Sequence, residues 1–300
     1  MTASPSPDII CIGSVLWDII GRSAAPMRPG ADVPGRITRL PGGVAMNVAM
    51  AMRRFDLVPT LLTAIGADAA GTELLAAARQ LGIRTDHVYR ASELPTDRYL
   101  AVEDAHGLIA AIADAHSLEA AGAKILLPLM DGRLGTADAP WSGLIALDGN
   151  LTETLLTEIA SSPFFAAADI RVAPASPGKV QRLRPLLAHP RVTLYVNLEE
   201  AALLCGREFG DAPAAAAGLL AGGVRRVLVT AGGSVCADGH AGEGIVSRVP
   251  PAVTVQRVTG AGDTFMAAHI VAERRGAMRE ESFGSALRVA ATYVSGEIGT

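Results

Sequence analysis

Apolar residues along this chain come in short blocks closed by glycine or polar residues, and the blocks alternate with longer, mixed segments. Residues 8–13 form one such block, with Ile9, Ile10, Cys11 and Ile12 followed by Gly13, and read as a buried strand. Residues 61–65 read as a second core strand, and a helix over about 71–81 stops at Gly82. Further blocks at 144–147, 169–172, 192–196 and 226–230 run into glycine, proline or polar residues, with helical segments between several of them. This alternation predicts an α/β fold, a doubly wound and mostly parallel sheet with helices on its faces. No internal repeat and no long linker divides the chain, so residues 1–300 are expected to form one domain.

Two stretches depart from the pattern. Residues 36–40 alternate polar and apolar, and residues 98–102 and 108–112 flank a turn containing Gly107, as in a hairpin. They predict a small β-sheet lid outside the main sheet, drawn from segments about 20–41 and 96–114, whose apolar face could serve as a homodimer contact. Gly42 and Gly43 precede an apolar helix that carries one polar residue, Asn47, in its first turns. An amide there needs a partner, from the protein or from a polyhydroxylated ligand, because leaving it unpaired costs roughly 1–3 kcal/mol. Asp18 follows the first strand, where open α/β sheets bind ligands, and reads equally as a holder of sugar hydroxyls and as a turn residue.

The stretch from Thr259 to Phe265 carries the most specific chemistry. Val253, Thr254 and Val255 predict an extended segment before it, and Phe265 to Ala272 predict a buried helix after it. Gly260 and Gly262 at that junction let backbone N–H groups approach an anion, and the helix start adds partial positive charge. Asp263 is out of place beside a phosphate unless it takes a proton from a hydroxyl that attacks the phosphate. On this stretch alone, a capped helix start explains Asp263 equally well.

Composition narrows the classes. Half the residues are apolar, 4% are aromatic and the net charge is −4, with no basic cluster to suggest a nucleic acid or membrane partner. No apolar run approaches the roughly 18 residues of a membrane span, and the first seven residues lack a leader pattern. Cys11, Cys205 and Cys236 are scattered and odd in number, which points to a reducing, cytoplasmic setting and to no zinc motif. There is no Walker A sequence, dinucleotide fingerprint or nucleophile elbow. Only two lysines, Lys124 and Lys179, stand against 24 arginines. Lys179 reads equally as a required ammonium and as a solvated surface residue.

The run from Val258 to Phe265 resembles the signature of the ribokinase-like (PfkB) family of carbohydrate and nucleoside kinases. Three other segments agree, in the family's order: Gly42-Gly43 with Asn47, followed by Gly66, Asp68 and Gly71; Asn197 and Glu200, spaced N-x-x-E; and Thr230-Ala231-Gly232-Gly233. The resemblance implies a Rossmann-like αβα core with a β lid, and ATP-dependent phosphorylation of a hydroxymethyl group. It implies Asp263 as general base, with the N–H groups of Gly260, Ala261 and Gly262 holding the transferring phosphoryl group. Asp18, Gly42, Gly43, Asn47 and the lid residue Tyr99 would bind the acceptor. Asn197, Glu200, Thr230, Gly232 and Gly233 would lie along ATP, Glu200 would position Mg²⁺ through water, and Lys179 would approach the phosphates or the substrate.

Within the family, the segment from Pro34 to Val44, the lid residues Thr96, Tyr99 and Leu100, and Asp148-Gly149-Asn150 are similar to the pseudouridine kinases. The 5′-hydroxyl of pseudouridine is therefore the leading acceptor. A ribokinase-, fructokinase- or ketodeoxysugar-kinase-like activity is the alternative, and a catalytically silent nucleoside- or sugar-binding protein is the alternative of a different class. There are two departures. Many relatives place an Asp beside a bound monovalent cation where this chain has Arg257, so no K⁺ requirement is expected. Ala173 stands where pseudouridine kinase-like chains often have Asp.

Overall fold

Runs of Ile, Leu and Val without polar alternation form strands covered on both faces, and the main sheet is built from them. In the computed structural model, which describes residues 7–297 except 29 and 31, all four residues of β1 (Ile9–Ile12) are buried. The leader pattern sought in the first seven residues falls, apart from Pro7, outside the described residues. After β1 come β2 (Leu16–Arg22), β3 (Arg36–Gly42), α1 (Val44–Arg53), β4 (Pro59–Leu62), β5 (Ala64–Gly66) and α2 (Ala69–Gln80). Next are β6 (Tyr89–Ala91), β7 (Arg98–Asp104), β8 (Gly107–Asp114), α3 (His116–Ala121), β9 (Leu144–Asp148), α4 (Glu153–Ser161) and β10 (Asp169–Ala173). The chain continues through β11 (Val192–Asn197), α5 (Leu198–Cys205), α6 (Ala212–Ala221), β12 (Arg226–Thr230), β13 (Cys236–His240) and β14 (Gly244–Arg248), then α7 (Ala261–Arg274) and α8 (Arg279–Val294).

Among the described residues the main sheet has eight strands in the order β14-β13-β12-β11-β10-β9-β1-β4. Pairing is parallel from β4 to β12 and antiparallel at β13 and β14. One face is packed by α3 to α6, with Leu118, Leu156, Ala201 and Ala215 in its core. The other is packed by α1, α2, α7 and α8, with Met46, Leu74, Phe265 and Phe283 in its core. This is the doubly wound arrangement expected. Strand β1 pairs with β4 on one side and β9 on the other, so chain direction across the sheet reverses between β1 and β9. Crevices open beyond the carboxyl ends of strands at such a reversal.

The small sheet has the order β3-β2-β7-β8. Its register puts Asp18 opposite Leu40 and Tyr99 on one face, and Leu100 opposite Ile19 and Ile112 on the other. Ile37, Leu100, Leu108, Ile109 and Ile112 are all exposed. Both ends of the β7–β8 hairpin are tied down. The Asp68 carboxylate, which caps α2 through the Gly71 N–H, also accepts from the N–H and Oγ of Thr96. Asp97 accepts from the N–H groups of Ser117 and Leu118 at the start of α3. Gly66 and Gly71 are glycines because a Cβ at either would run into Thr96 or its neighbours.

Three expectations change, and one hairpin is additional to them. Asp18 lies inside β2, a strand of the small sheet that starts at Leu16, rather than in a turn after β1. The block at 61–65 splits at Thr63, and its second half pairs with β6 in a separate two-stranded sheet. Val253, Thr254 and Val255 form no strand, because no neighbouring strand offers them a ladder. The hairpin β13–β14 carries no apolar block that would have announced it. The three cysteines are free thiols, and no helix among the described residues is long and apolar enough to cross a membrane.

Candidate active site

The reversal between β1 and β9 is occupied by one carboxylate. Asp148, the last residue of β9 and 1% exposed, accepts from the Ser14 N–H at 2.6 Å, the Ser14 hydroxyl at 2.8 Å, the Ala45 N–H at 3.2 Å and the Asn150 N–H at 2.7 Å. Ser14 Oγ also accepts from the Val44 N–H at 2.9 Å. Two donors at the start of α1 are thus satisfied from neighbouring strand ends. Gly43 has φ 93°, and a Cβ there would lie 2.5 Å from the Ser14 carbonyl oxygen; at Gly42 it would lie 2.1 Å from Asp18. The two glycines let α1 and β3 close onto the first strand end and onto Asp18.

Asn47, one turn into α1, donates from Nδ2 to Asp263 Oδ2 at 3.0 Å. Its partner is therefore internal. Asp263 is in the first turn of α7, which packs against α1. Burial pushes the Asp263 carboxyl up, and the nearby charges of Asp148, Asp18 and Glu200 push the same way against the Asn47 bond, to about 7. Burial likewise raises Asp18, to about 6. No donor within the described residues hydrogen-bonds the Asp18 carboxylate. Tyr99, its cross-strand neighbour, shares that face of the small sheet and is half-buried.

The helix start before Asp263 differs in one detail from expectation. Gly260 is the N-cap of α7 in the left-handed region, φ 83°. The Ala261 N–H is bonded to the Val258 carbonyl at 3.0 Å, so it is not available to an anion in this conformation. The N–H groups of Gly260 and Gly262 have no acceptor among the described residues and remain the available donors.

Across the sheet, Asn197 ends β11 and Thr230 ends β12, and both line a cleft of about 350 Å³ together with Gly232, Glu199 and Asp211. Gly233 adjoins this cleft but does not line it. The N-x-x-E spacing is a capping box: Asn197 Oδ1 accepts from the Glu200 N–H at 2.9 Å, and Glu200 Oε2 accepts from the Asn197 N–H at 2.8 Å. Glu200 Oε1 makes no hydrogen bond within the described residues. Burial raises the Glu200 carboxyl. Lys179 lies elsewhere. Its Nζ donates to Asn150 Oδ1 at 2.7 Å, and Asn150 Nδ2 donates to Ser14 Oγ at 2.9 Å. Burial lowers the Lys179 ammonium, and the charges acting on it are Arg182, Glu119, Asp148 and Asp97. These groups belong to the β9 end and the base of the small sheet, not to the β11–β12 cleft.

The arrangement sets a buried carboxylate beside free amides at a helix start, within electrostatic reach of the unpartnered Asp18 and of Glu200. That is the layout of a phosphoryl-transfer site. The sequence profile of the pfkB family carbohydrate kinases matches residues 6–297. This chain belongs to that family. It is a phosphotransferase acting on a hydroxyl group. The kinase is 30% identical to the pseudouridine kinase of Escherichia coli (strain K12) over 265 residues, covering 86% of this chain and 81% of that protein. Its fold is similar to a carbohydrate kinase from Agrobacterium tumefaciens, with TM-score 0.80, 24% identity and coverage of 97% and 92% of the two chains. It is also similar to an Arabidopsis thaliana ribokinase complexed with ribose and ATP, with TM-score 0.74, 21% identity and coverage of 99% and 94%.

Sequence reasoning singled out Asp263, Asn47 and Asp18, and these residues do converge. It did not single out Ser14 or Tyr293, and it read Asp148 and Asn150 as a polar strand end and a point of likeness without giving them a role. The reversal of strand order at β1 and β9 would have flagged Ser14 and Asp148, but strand order is not written in the local pattern.

Proposed function

We propose that this kinase transfers the terminal phosphoryl group of ATP to the primary 5′-hydroxyl of a nucleoside or sugar, with pseudouridine the leading acceptor. The observation that carries the proposal is the Asn47–Asp263 pair at the start of α7, facing the unpartnered Asp18. Asp263, as carboxylate, takes the proton of the attacking hydroxyl. The oxygen bonds to phosphorus as the bond to the departing ADP breaks. Gly260 and Gly262 offer N–H groups to the transferring phosphoryl oxygens. A vicinal diol would supply the donors that Asp18 lacks, with Tyr99 alongside. The curated relative named a pseudouridine kinase supports a nucleoside acceptor. Lys179, held by Asn150 on the acceptor side, is suited to an acceptor carbonyl rather than to ATP.

The nucleotide is assigned to the cleft of Asn197, Thr230 and Gly232, with Gly233 beside it. Mg²⁺ neutralises phosphate charge when bound, and Glu200 fits a water-mediated contact because one carboxylate oxygen is uncommitted. Arg257 donates from Nε to the Tyr293 carbonyl at 2.8 Å, a fixed cation beside the catalytic turn, and activity without added K⁺ is proposed on that basis. The exposed apolar residues of the small sheet support a dimer through it, which sedimentation would test.

The test is ADP release with ATP and Mg²⁺ against pseudouridine, uridine, adenosine, ribose, fructose and ketodeoxygluconate, with and without K⁺. Pseudouridine should give the highest kcat/KM. A better rate with ribose or another free sugar would favour the sugar-kinase reading, and equal rates with uridine would reject selectivity for pseudouridine.

A further inference from the structure

The turn that leads into α7 is closed locally by one bond, from the Ala261 N–H to the Val258 carbonyl, and residues 249–258 before it form no helix or strand. The last turn of α8 holds it as well. The N–H groups of Gln256 and Arg257 both donate to the Val294 carbonyl, at 2.9 and 3.2 Å. Tyr293 Oη donates to the Thr259 carbonyl at 3.0 Å. The Arg257 guanidinium lies over the Tyr293 ring, 3.8 Å from its centroid, while Arg54 from the end of α1 faces the same ring at 5.8 Å. A Cβ on Gly260 would sit 2.7 Å from the Tyr293 hydroxyl oxygen, so the hydroxyl packs directly against the glycine backbone.

The Thr259 carbonyl and the Gly260 N–H belong to one planar trans peptide and point in opposite directions. A donor that fixes the carbonyl therefore also fixes the direction of the N–H. Tyr293 draws the carbonyl towards α8 and turns the Gly260 N–H away from it. The bond from the Ala261 N–H to the Val258 carbonyl closes the turn with its central peptide facing either way, and Gly260 has no side chain to choose between the two, so the choice falls to Tyr293. The Arg257 cation over the ring and its bond to the Tyr293 carbonyl hold the tyrosine in place.

We propose that Tyr293, braced by Arg257, is the positioning residue that sets the peptide plane before the phosphoryl-holding helix start. The inference rests on the kinase reading for its kinetic consequence, and on the hydrogen bonds alone for its structural one.

Two measurements separate these. Tyr293→Phe removes the hydroxyl and keeps the ring. It should lower kcat about tenfold while leaving KM for acceptor and ATP within about twofold and Tm within about 2 °C. Arg257→Met should act the same way, and the double variant should lose little more than the weaker single variant, because the two residues act as one unit. Amide hydrogen exchange over residues 258–264, measured in the same proteins, should speed up about tenfold in Tyr293→Phe. Unchanged exchange there, kcat within twofold of wild type, or losses that multiply in the double variant would each overturn the proposal. If the wild type releases no ADP with any acceptor, the kinase reading fails and the exchange measurement alone decides the role of Tyr293.

Discussion

Burial holds the Asp263 carboxyl at about 7, against a usual value of 3.8. As the proposed base it is half ionised near neutrality, and kcat/KM should rise with pH through about 7 and level off above it. A pH–rate profile checks this; a flat profile between pH 5.5 and 8.5 would remove the role. The same displacement acts on stability. An acid whose folded value lies above its unfolded one keeps its proton in the fold when the open chain has already lost it. Folding stability attributable to Asp263 therefore falls as pH rises from about 4 to about 7, by roughly 4 kcal/mol at full extent. Asp263→Asn retains the Asn47 contact without that cost. Its Tm should exceed that of the wild type by several degrees at pH 8 and by much less at pH 5, as thermal unfolding at the two pH values would show.

Loop-to-helix junctions carry the site, and each is fixed by a side chain from another element. Asp68 caps α2 and grips Thr96 where the hairpin of the small sheet departs. Asp68→Ala should cost about 1–2 kcal/mol in unfolding free energy and raise KM for the acceptor several-fold while changing KM for ATP little, because Asp18 and Tyr99 ride on the small sheet. Chemical denaturation and steady-state kinetics would check both. Elements with a strong pattern were legible in the sequence: β1, α1, α2, β9 to β12 and the hairpin of the small sheet all fall where apolar runs and glycines placed them. The departures have physical causes. β2 is a strand despite the acid Asp18 in its middle because it is laddered to β3 on one side and β7 on the other. β13, with Asp238 and Gly239, is a strand because Arg226 and Arg279 neutralise Asp238 and α6 covers it. Val253 to Val255 have strand-forming side chains but no partner. The site was legible as motifs but not as connections. Asp148 bonds Ser14 across 134 positions and Tyr293 bonds Thr259 across 34, and no local pattern records such pairs.

Across the whole molecule, the end of the sheet that carries the candidate site is balanced by an ionic layer at the opposite strand ends. Glu273, at the far end of α7, bonds Arg171 from β10 and Arg226 from β12, and Arg171 also bonds Asp169. Burial raises the Glu273 carboxyl, but His269, Arg171 and Arg226 outweigh it and hold it at about 2. His269 is itself held to about 4 by burial and is uncharged at neutral pH, so the two arginines sustain the effect. For a depressed acid, stability is present above the unfolded value and is lost as pH falls from about 4.5 to about 2. Glu273→Gln leaves Arg171 with Asp169 and Arg226 with Asp238 as remaining counter-charges and should destabilise by about 1–3 kcal/mol. Unfolding in urea would check that, while kcat in the folded variant should stay near wild type because the layer lies at the other end of the strands.

The central claim is that this chain moves a phosphoryl group from ATP to a hydroxyl with Asp263 as the base. ADP release by wild type and by Asp263→Asn, with pseudouridine as acceptor and with ATP affinity measured alongside, tests it most directly. The account predicts turnover by the wild type and a loss of about 10²–10⁴-fold in the variant with ATP affinity unchanged. Comparable turnover in the two proteins would contradict it.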